Sequence, residues 1–221
     1  MSRKIKKREK IPEWAASLYW GIAILNYKLY IDMAKELCHT FIPSRKNLKI
    51  LDVGTGHGFL PIEIVKLRPE TKIYGFDLNK KLIRYANQQG KEELYFFIAD
   101  ANALPFSGNC FDLVISTGVL HELRDPVGAL NECYRVLKSY GMTIIYDPVP
   151  LRSKVKISEL SLFNSIKYLI YKLHKKIYPR PPKHLSFEQA KDIIVKTKFE
   201  RWQIKRDENQ DYLKIVLKKE K

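Results

Sequence analysis

Short, mostly apolar runs that end in glycine or aspartate recur along the first two thirds of the chain. Ile50-Leu51-Asp52-Val53 leads into glycines, Lys72–Phe76 ends at Asp77, and Leu94–Ile98 ends near Asp100. Phe111–Ser116 and Gly141–Tyr146 complete the series. Apolar runs of about 4–8 residues bounded by turn residues suit strands buried on both faces. The stretches between them change period. Phe59–Leu67 repeats apolar residues at Leu60, Ile64 and Leu67. Asn79 is placed to cap a helix that reaches Gln89 and stops at Gly90. Pro126–Lys138 carries Val127, Leu130, Tyr134 and Leu137 on one face. Strand and helix in regular alternation predict an α/β domain: an open, mostly parallel sheet with helices on both faces.

The pattern changes after Asp147. Residues 151–182 predict a cationic amphipathic helix, with Leu162, Ile166, Leu169, Ile170 and Leu173 set against Lys167, Lys172, Lys175 and Lys176. Ser186 then caps a helix to about Lys196. Phe199–Lys205 and Tyr212–Leu217 close the chain as a hairpin, which brings the strands to seven and makes the last one antiparallel. At the other end, a basic stretch (Met1–Lys10) precedes an uncharged run from Trp14 to Tyr27. That order imitates a secretory signal, but Ser17, Tyr19, Gly21 and Asn26 dilute it and no small-residue cleavage site follows. The run is also short of the roughly 20 apolar residues a bilayer span needs. It is expected to continue past Lys28 as one amphipathic helix packed on the domain. The expected organisation is a basic tail and helical cap at 1–46, a core domain of 47–150 with 186–221, and an inserted basic helical cap at 151–185.

Composition fits this picture: 221 residues, 45% hydrophobic and 29% charged, exclude a disordered or disulfide-scaffold chain. Cys38, Cys110 and Cys133 are scattered and form no C-x-x-C pair, so no metal site is expected and the thiols suit a reducing cytoplasm. The net charge of +16 is unevenly spread. Residues 1–10 hold +5 and 151–191 hold +8, whereas 11–150 are neutral. Such a field attracts phosphates, anionic lipid or an acidic substrate, and a Lys-rich solvated surface is the alternative.

The strongest chemical signal is Leu51-Asp52-Val53-Gly54-Thr55-Gly56-His57-Gly58. Glycines between a strand and a helix permit a tight turn and close approach of a ligand to the backbone. Asp77 lies 19 residues beyond Gly58, at the tip of the next strand, where a carboxylate can accept from both hydroxyls of a ribose. Together they predict a nucleoside site at the carboxyl ends of parallel strands. A nicotinamide fingerprint usually spaces its glycines G-x-G-x-x-G, which differs from 54, 56 and 58.

These motifs resemble the class I S-adenosylmethionine-dependent methyltransferases, most closely the small-molecule and quinone branch. The resemblance covers about residues 48–148 and returns more weakly at 186–221. Besides the glycine loop and Asp77-Leu78, it rests on Ala99-Asp100-Ala101-Asn102-Ala103-Leu104-Pro105-Phe106. It also rests on Phe111–Thr117 and on His121-Glu122-Leu123-Arg124-Asp125-Pro126. The resemblance implies a Rossmann-like sheet and S-adenosyl-L-methionine as cofactor. Cofactor-binding positions would be Asp52, Gly54, Thr55, Gly56, Gly58, Asp77, Leu78, Asp100, Ala101 and Thr117. Asp52 would orient the loop and help hold the cofactor's amino group, Leu78 would touch the adenine, and Asp100 would accept from its amino group.

A sulfonium methyl has a good leaving group, so the protein must chiefly align the acceptor and exclude water. A base is needed only where the acceptor loses a proton. His121, where the fourth strand opens onto the cleft, is the candidate, with a loop-orienting role as the alternative. Tyr146 and Asp147 end the fifth strand near the expected acceptor site. Aromatics in the two caps suit a small apolar or aromatic acceptor. The alternative is an RNA methyltransferase that holds its substrate with the basic segments. A peripheral membrane surface is a further contact that the apolar, cationic helix would permit.

Overall fold

The computed structural model describes residues 23–24, 26–42, 47–149, 184–207 and 212–221. In chain order these form α1 (Tyr27–Glu36, continued by a π-helical turn Leu37–Phe41), β1 (Lys49–Val53), α2 (Phe59–Leu67), β2 (Lys72–Asp77) and α3 (Lys80–Asn87). They continue as β3 (Leu94–Ile98), β4 (Phe111–Thr117), α4 (Pro126–Val136), β5 (Leu137–Pro148), α5 (Phe187–Ile194), β6 (Arg201–Asp207) and β7 (Tyr212–Lys218). The seven strands make one sheet in the order β3-β2-β1-β4-β5-β7-β6. β1 to β5 run parallel, and β7 runs antiparallel to both β5 and β6. The expected architecture is therefore borne out, including the reversed last strand. Of the caps expected at 1–46 and 151–185, residues 1–22, 25, 43–46 and 151–183 lie outside the described residues.

Alternation along the strands divides the core in two. Ile50, Ile73, Leu113, Ile115, Ile144 and Tyr146 face α1 and α2, where Met33, Ala34, Leu37, Leu60 and Ile64 are buried. Leu51, Val53, Phe76, Val114, Ile145 and Leu213 face α4 and α5, against Leu130, Cys133, Ala190 and Ile194. Strands covered on both sides explain the mostly apolar runs in the sequence. α1 is tied across its face by Glu36, which accepts from the Tyr146 hydroxyl at 2.9 Å and pairs with Lys214.

The boundary between α4 and β5 differs most from expectation. The α4 helix ends at Val136, and β5 begins at once with Leu137 rather than at Gly141. Leu137 is fully buried and pairs with Phe111, so sheet pairing captures it from the helix. The Lys219 ammonium donates to Tyr134 O at 3.0 Å and Leu137 O at 2.6 Å, serving carbonyls that the helix leaves open.

Candidate active site

The carboxyl ends of β1, β2, β4 and β5 lie side by side, and the turns that leave them carry the motif residues. The glycine loop after β1 needs left-handed backbone at Gly54 (φ 71°) and Gly56 (φ 54°). A side chain at Gly54 would sit 2.3 Å from Val119 Cγ2, whereas one at Gly56 would meet nothing within 4 Å. Gly54 is thus fixed by packing, and Gly56 leaves an open cradle. Thr55 N–H donates to Phe76 O at 2.9 Å, and Gly56 N–H to Asp77 Oδ2 at 3.2 Å. Asp77 Oδ1 accepts from Asn79 N–H at 2.8 Å. The acid that ends β2 therefore holds the loop that ends β1. Its carboxylate offers about four lone-pair sites, and these two backbone amides point at two of them. Leu78, half-buried, follows it.

Asp52 sits one residue before the end of β1, 2% exposed. Burial pushes its carboxyl up to about 7; the Thr55 hydroxyl works the other way, and the Asp77 charge adds to the rise. Tyr30 of α1 packs nearby, its phenol pushed up to about 12 by burial and by the Asp52 charge. Sequence periodicity placed Tyr30 on a helix but could not place it against Asp52, 22 residues away.

Asp100 stands two residues past Ile98, the register partner of Asp77. Its carboxylate accepts from Asn102 N–H at 2.9 Å, and its carbonyl from Ala103 N–H at 3.0 Å, so the acid shapes its own turn. Ala101 is buried in the core beside Leu104. The rest of this loop is gripped from α4, a feature the sequence did not reveal. Glu132 accepts from Leu104 N–H at 2.9 Å, and Arg135 donates to Phe106 O at 2.7 Å and Leu104 O at 3.1 Å. The Arg135 guanidinium holds the Glu132 carboxyl below its usual range.

His121 lies in a short 3₁₀ turn (Leu120–Glu122) after β4. The Gly118 N–H donates to Tyr146 O at 2.7 Å, which holds this turn against the end of β5. There His121 Nδ1 meets the Asp147 carboxylate at 2.9 and 3.2 Å. Both side chains are buried, at 4% and 1% exposure. The ring's other nitrogen is 3.9 Å from Glu122 Oε1, and the His184 ring packs at 5.3 Å between centroids. Burial disfavours the charged imidazole, yet the hydrogen bond and charge of Asp147, with Glu122 behind, leave its pKa raised. A carboxylate on Nδ1 fixes the proton there and leaves Nε2 to accept one. Val119, which packs on Gly54, joins this turn to the glycine loop. At the end of β4 the buried Thr117 hydroxyl has no hydrogen-bond partner among the described residues.

A family model described as a methyltransferase domain matches residues 44–206. The chain belongs to the methyltransferase domain family. The match spans the glycine loop, Asp77, Asp100 and the His121 turn together. A ubiquinone/menaquinone biosynthesis C-methyltransferase from Dinoroseobacter shibae is 31% identical over 140 residues, covering 60% of this chain and 56% of the relative. A demethylmenaquinone methyltransferase from Thermotoga maritima is 31% identical over 106 residues, covering 48% and 46%. The chain spans about half the length of these curated relatives. Among solved structures, a candidate S-adenosyl-L-methionine-dependent methyltransferase from Methanococcus maripaludis superposes with a TM-score of 0.74 at 20% identity, over 100% of this chain and 98% of that one. This likeness shows the fold. The methyltransferase domain is of the class I, S-adenosylmethionine-dependent kind, and its residues fit that cofactor. The open cradle at Gly56, the half-buried Asp77 carboxylate and the Thr117 hydroxyl, without a partner among the described residues, all stand at one rim of the sheet.

Proposed function

We propose that the protein transfers a methyl group to a small, apolar or aromatic acceptor, with His121 as general base. The observation that carries this is the juxtaposition of the Asp77-tethered glycine loop with the buried His121–Asp147 pair at neighbouring strand ends. Bound S-adenosyl-L-methionine would supply an electrophilic sulfonium methyl. Asp77 would receive the ribose hydroxyls, Asp100 and the Leu78–Ala101 side the adenine, and Asp52 with the Gly54 and Thr117 backbone the amino-acid end. Asp147 holds the imidazole by Nδ1, so Nε2 can take a proton from the acceptor as it is methylated. The acceptor's lost proton then resides on His121, where the Asp147 charge offsets the cost of a buried cation.

The quinone methyltransferases among the relatives support an apolar acceptor. No helix among the described residues is long and apolar enough to cross a membrane, and the three cysteines are free, which supports a reducing compartment. The test is transfer of a labelled methyl group to small-molecule, lipid and RNA fractions, with calorimetry of the cofactor in parallel. Label in the apolar small-molecule fraction is expected, together with cofactor affinity about 12- to 150-fold weaker in Asp77→Ala, the equivalent of ~1.5–3 kcal/mol. Label confined to RNA, or undiminished affinity in Asp77→Ala, would overturn the assignment.

A further inference from the structure

β3 ends the sheet on the side away from β5, so its outer edge has no neighbouring strand among the described residues. Ile73 N–H donates to Glu93 O at 2.8 Å. In a parallel ladder the inward residues alternate, so odd-numbered residues face β2, and Leu94, Phe96 and Ile98 turn their backbone groups outward. Exposed edges are normally protected by charge, proline or a bulge. Leu94-Tyr95-Phe96-Phe97-Ile98 has neither charge nor proline, and Tyr95 and Ile98 are 41% and 48% exposed.

A groove of about 510 Å³ runs beside this edge, lined by Lys80, Ile83, Arg84, Asn87, Gln88 and Ile98. Four of these recur at helical spacing along one face of α3. The Asn87 side chain donates to Phe96 O at 3.3 Å, so a primary amide already stands where a neighbouring strand would donate. The groove is therefore apolar at its floor, polar along the strand and cationic at its rim.

We propose that the β3 edge is a docking site for an extended, acidic segment of a partner protein. The segment adds as an eighth strand, displaces Asn87 from Phe96 O, and sets its carboxylates against Lys80 and Arg84. Charge selects this occupant. A second copy paired edge to edge would set its own Lys80 and Arg84 against this rim, and residues 151–191 of the same chain carry +8. Strand addition draws affinity from the backbone and specificity from alternate side chains, which a sequence alternating apolar and acidic residues satisfies. The inference does not rest on the methyl-transfer assignment, because the backbone groups it uses face away from β2; Ile98 is nonetheless the register partner of Asp77 and stands two residues before Asp100, so the cofactor affinity of each variant is measured alongside.

The test uses the full chain and three labelled ten-residue peptides: alternating Val-Glu, alternating Val-Lys, and Val-Glu with two residues replaced by proline. Fluorescence anisotropy should show the first binding at least tenfold tighter than either control. Amide exchange should slow at Phe96 and Ile98 on binding. Ile98→Lys should weaken binding about tenfold, and Lys80→Glu with Arg84→Glu should invert the preference toward the Val-Lys peptide. These three side chains are exposed, so the variants test docking rather than folding. Equal binding by Ile98→Lys, or unchanged exchange at Phe96 and Ile98, would reduce the effect to general attraction by a basic surface and overturn the proposal. So would a dimer in sedimentation that Ile98→Lys dissolves, or protection of the same amides by duplex RNA.

Discussion

Replacing Asp147 by Asn is the most informative single change. It keeps the shape of the residue and an acceptor for His121 Nδ1–H, but removes the charge that lies 2.9 and 3.2 Å from that nitrogen. A hydrogen bond to a charged partner contributes about 1.5–3 kcal/mol and a neutral one about 0.5–1.5, so the folded state should lose about 1–2 kcal/mol when His121 is protonated. The sign follows from the raised pKa of His121. The pair's contribution is complete below the unfolded histidine value of about 6.5 and fades as pH rises through the folded value. The difference between wild type and variant in urea denaturation should therefore be larger near about pH 6 than near about pH 8.5. Burial is the largest single influence on the ring, and it lowers the pKa once Asp147 no longer opposes it. The imidazole resonances of His121 should titrate at lower pH in Asp147→Asn. The rise of kcat/KM with pH should move the same way, toward acid. Its plateau should fall by about tenfold to a hundredfold, part of the roughly 10²–10⁴ that a positioned base supplies. An unmoved His121 titration would refute the electrostatic argument, and an unchanged rate with a moved titration would remove His121 from the chemistry.

Two further outcomes follow from the glycine loop. Asp52, with a folded value of about 7 against about 3.9 unfolded, binds a proton more readily when folded. Wild-type stability should thus fall as pH rises from about 4 to 7, by up to about 4 kcal/mol. Asp52→Asn should flatten that slope in urea midpoints, and an unaltered slope would place the titration elsewhere. Gly54→Ala should cost about 1–3 kcal/mol in backbone strain and more through Val119, whereas Gly56→Ala, with open space before it, should cost the backbone share alone. Thermal melts that rank the two equally would refute the packing argument.

The strands and the glycine loop were legible because their signals are local. Mostly apolar runs ending in glycine or aspartate report strands covered on both faces, and Gly54, Gly56 and Gly58 mark backbone with positive φ whatever surrounds them. The hairpin of β6 and β7 was visible for the same reason, although its partner, β5, was not. Long-range pairing lay beyond such signals. His121 and Asp147 are 26 residues apart, and each alone is an ordinary turn residue; only the adjacency of β4 and β5 brings them to 2.9 Å and buries both. Glu132 and Arg135 stand three residues apart on α4, and nothing in that spacing tells that the loop from β3 to β4 takes its backbone partners from them. Leu137 carries a helical pattern that the sheet overrides, because pairing with Phe111 and full burial outweigh one more residue of helix. Local spacing determined what each segment could be, and the order of strands in the sheet decided which side chains meet.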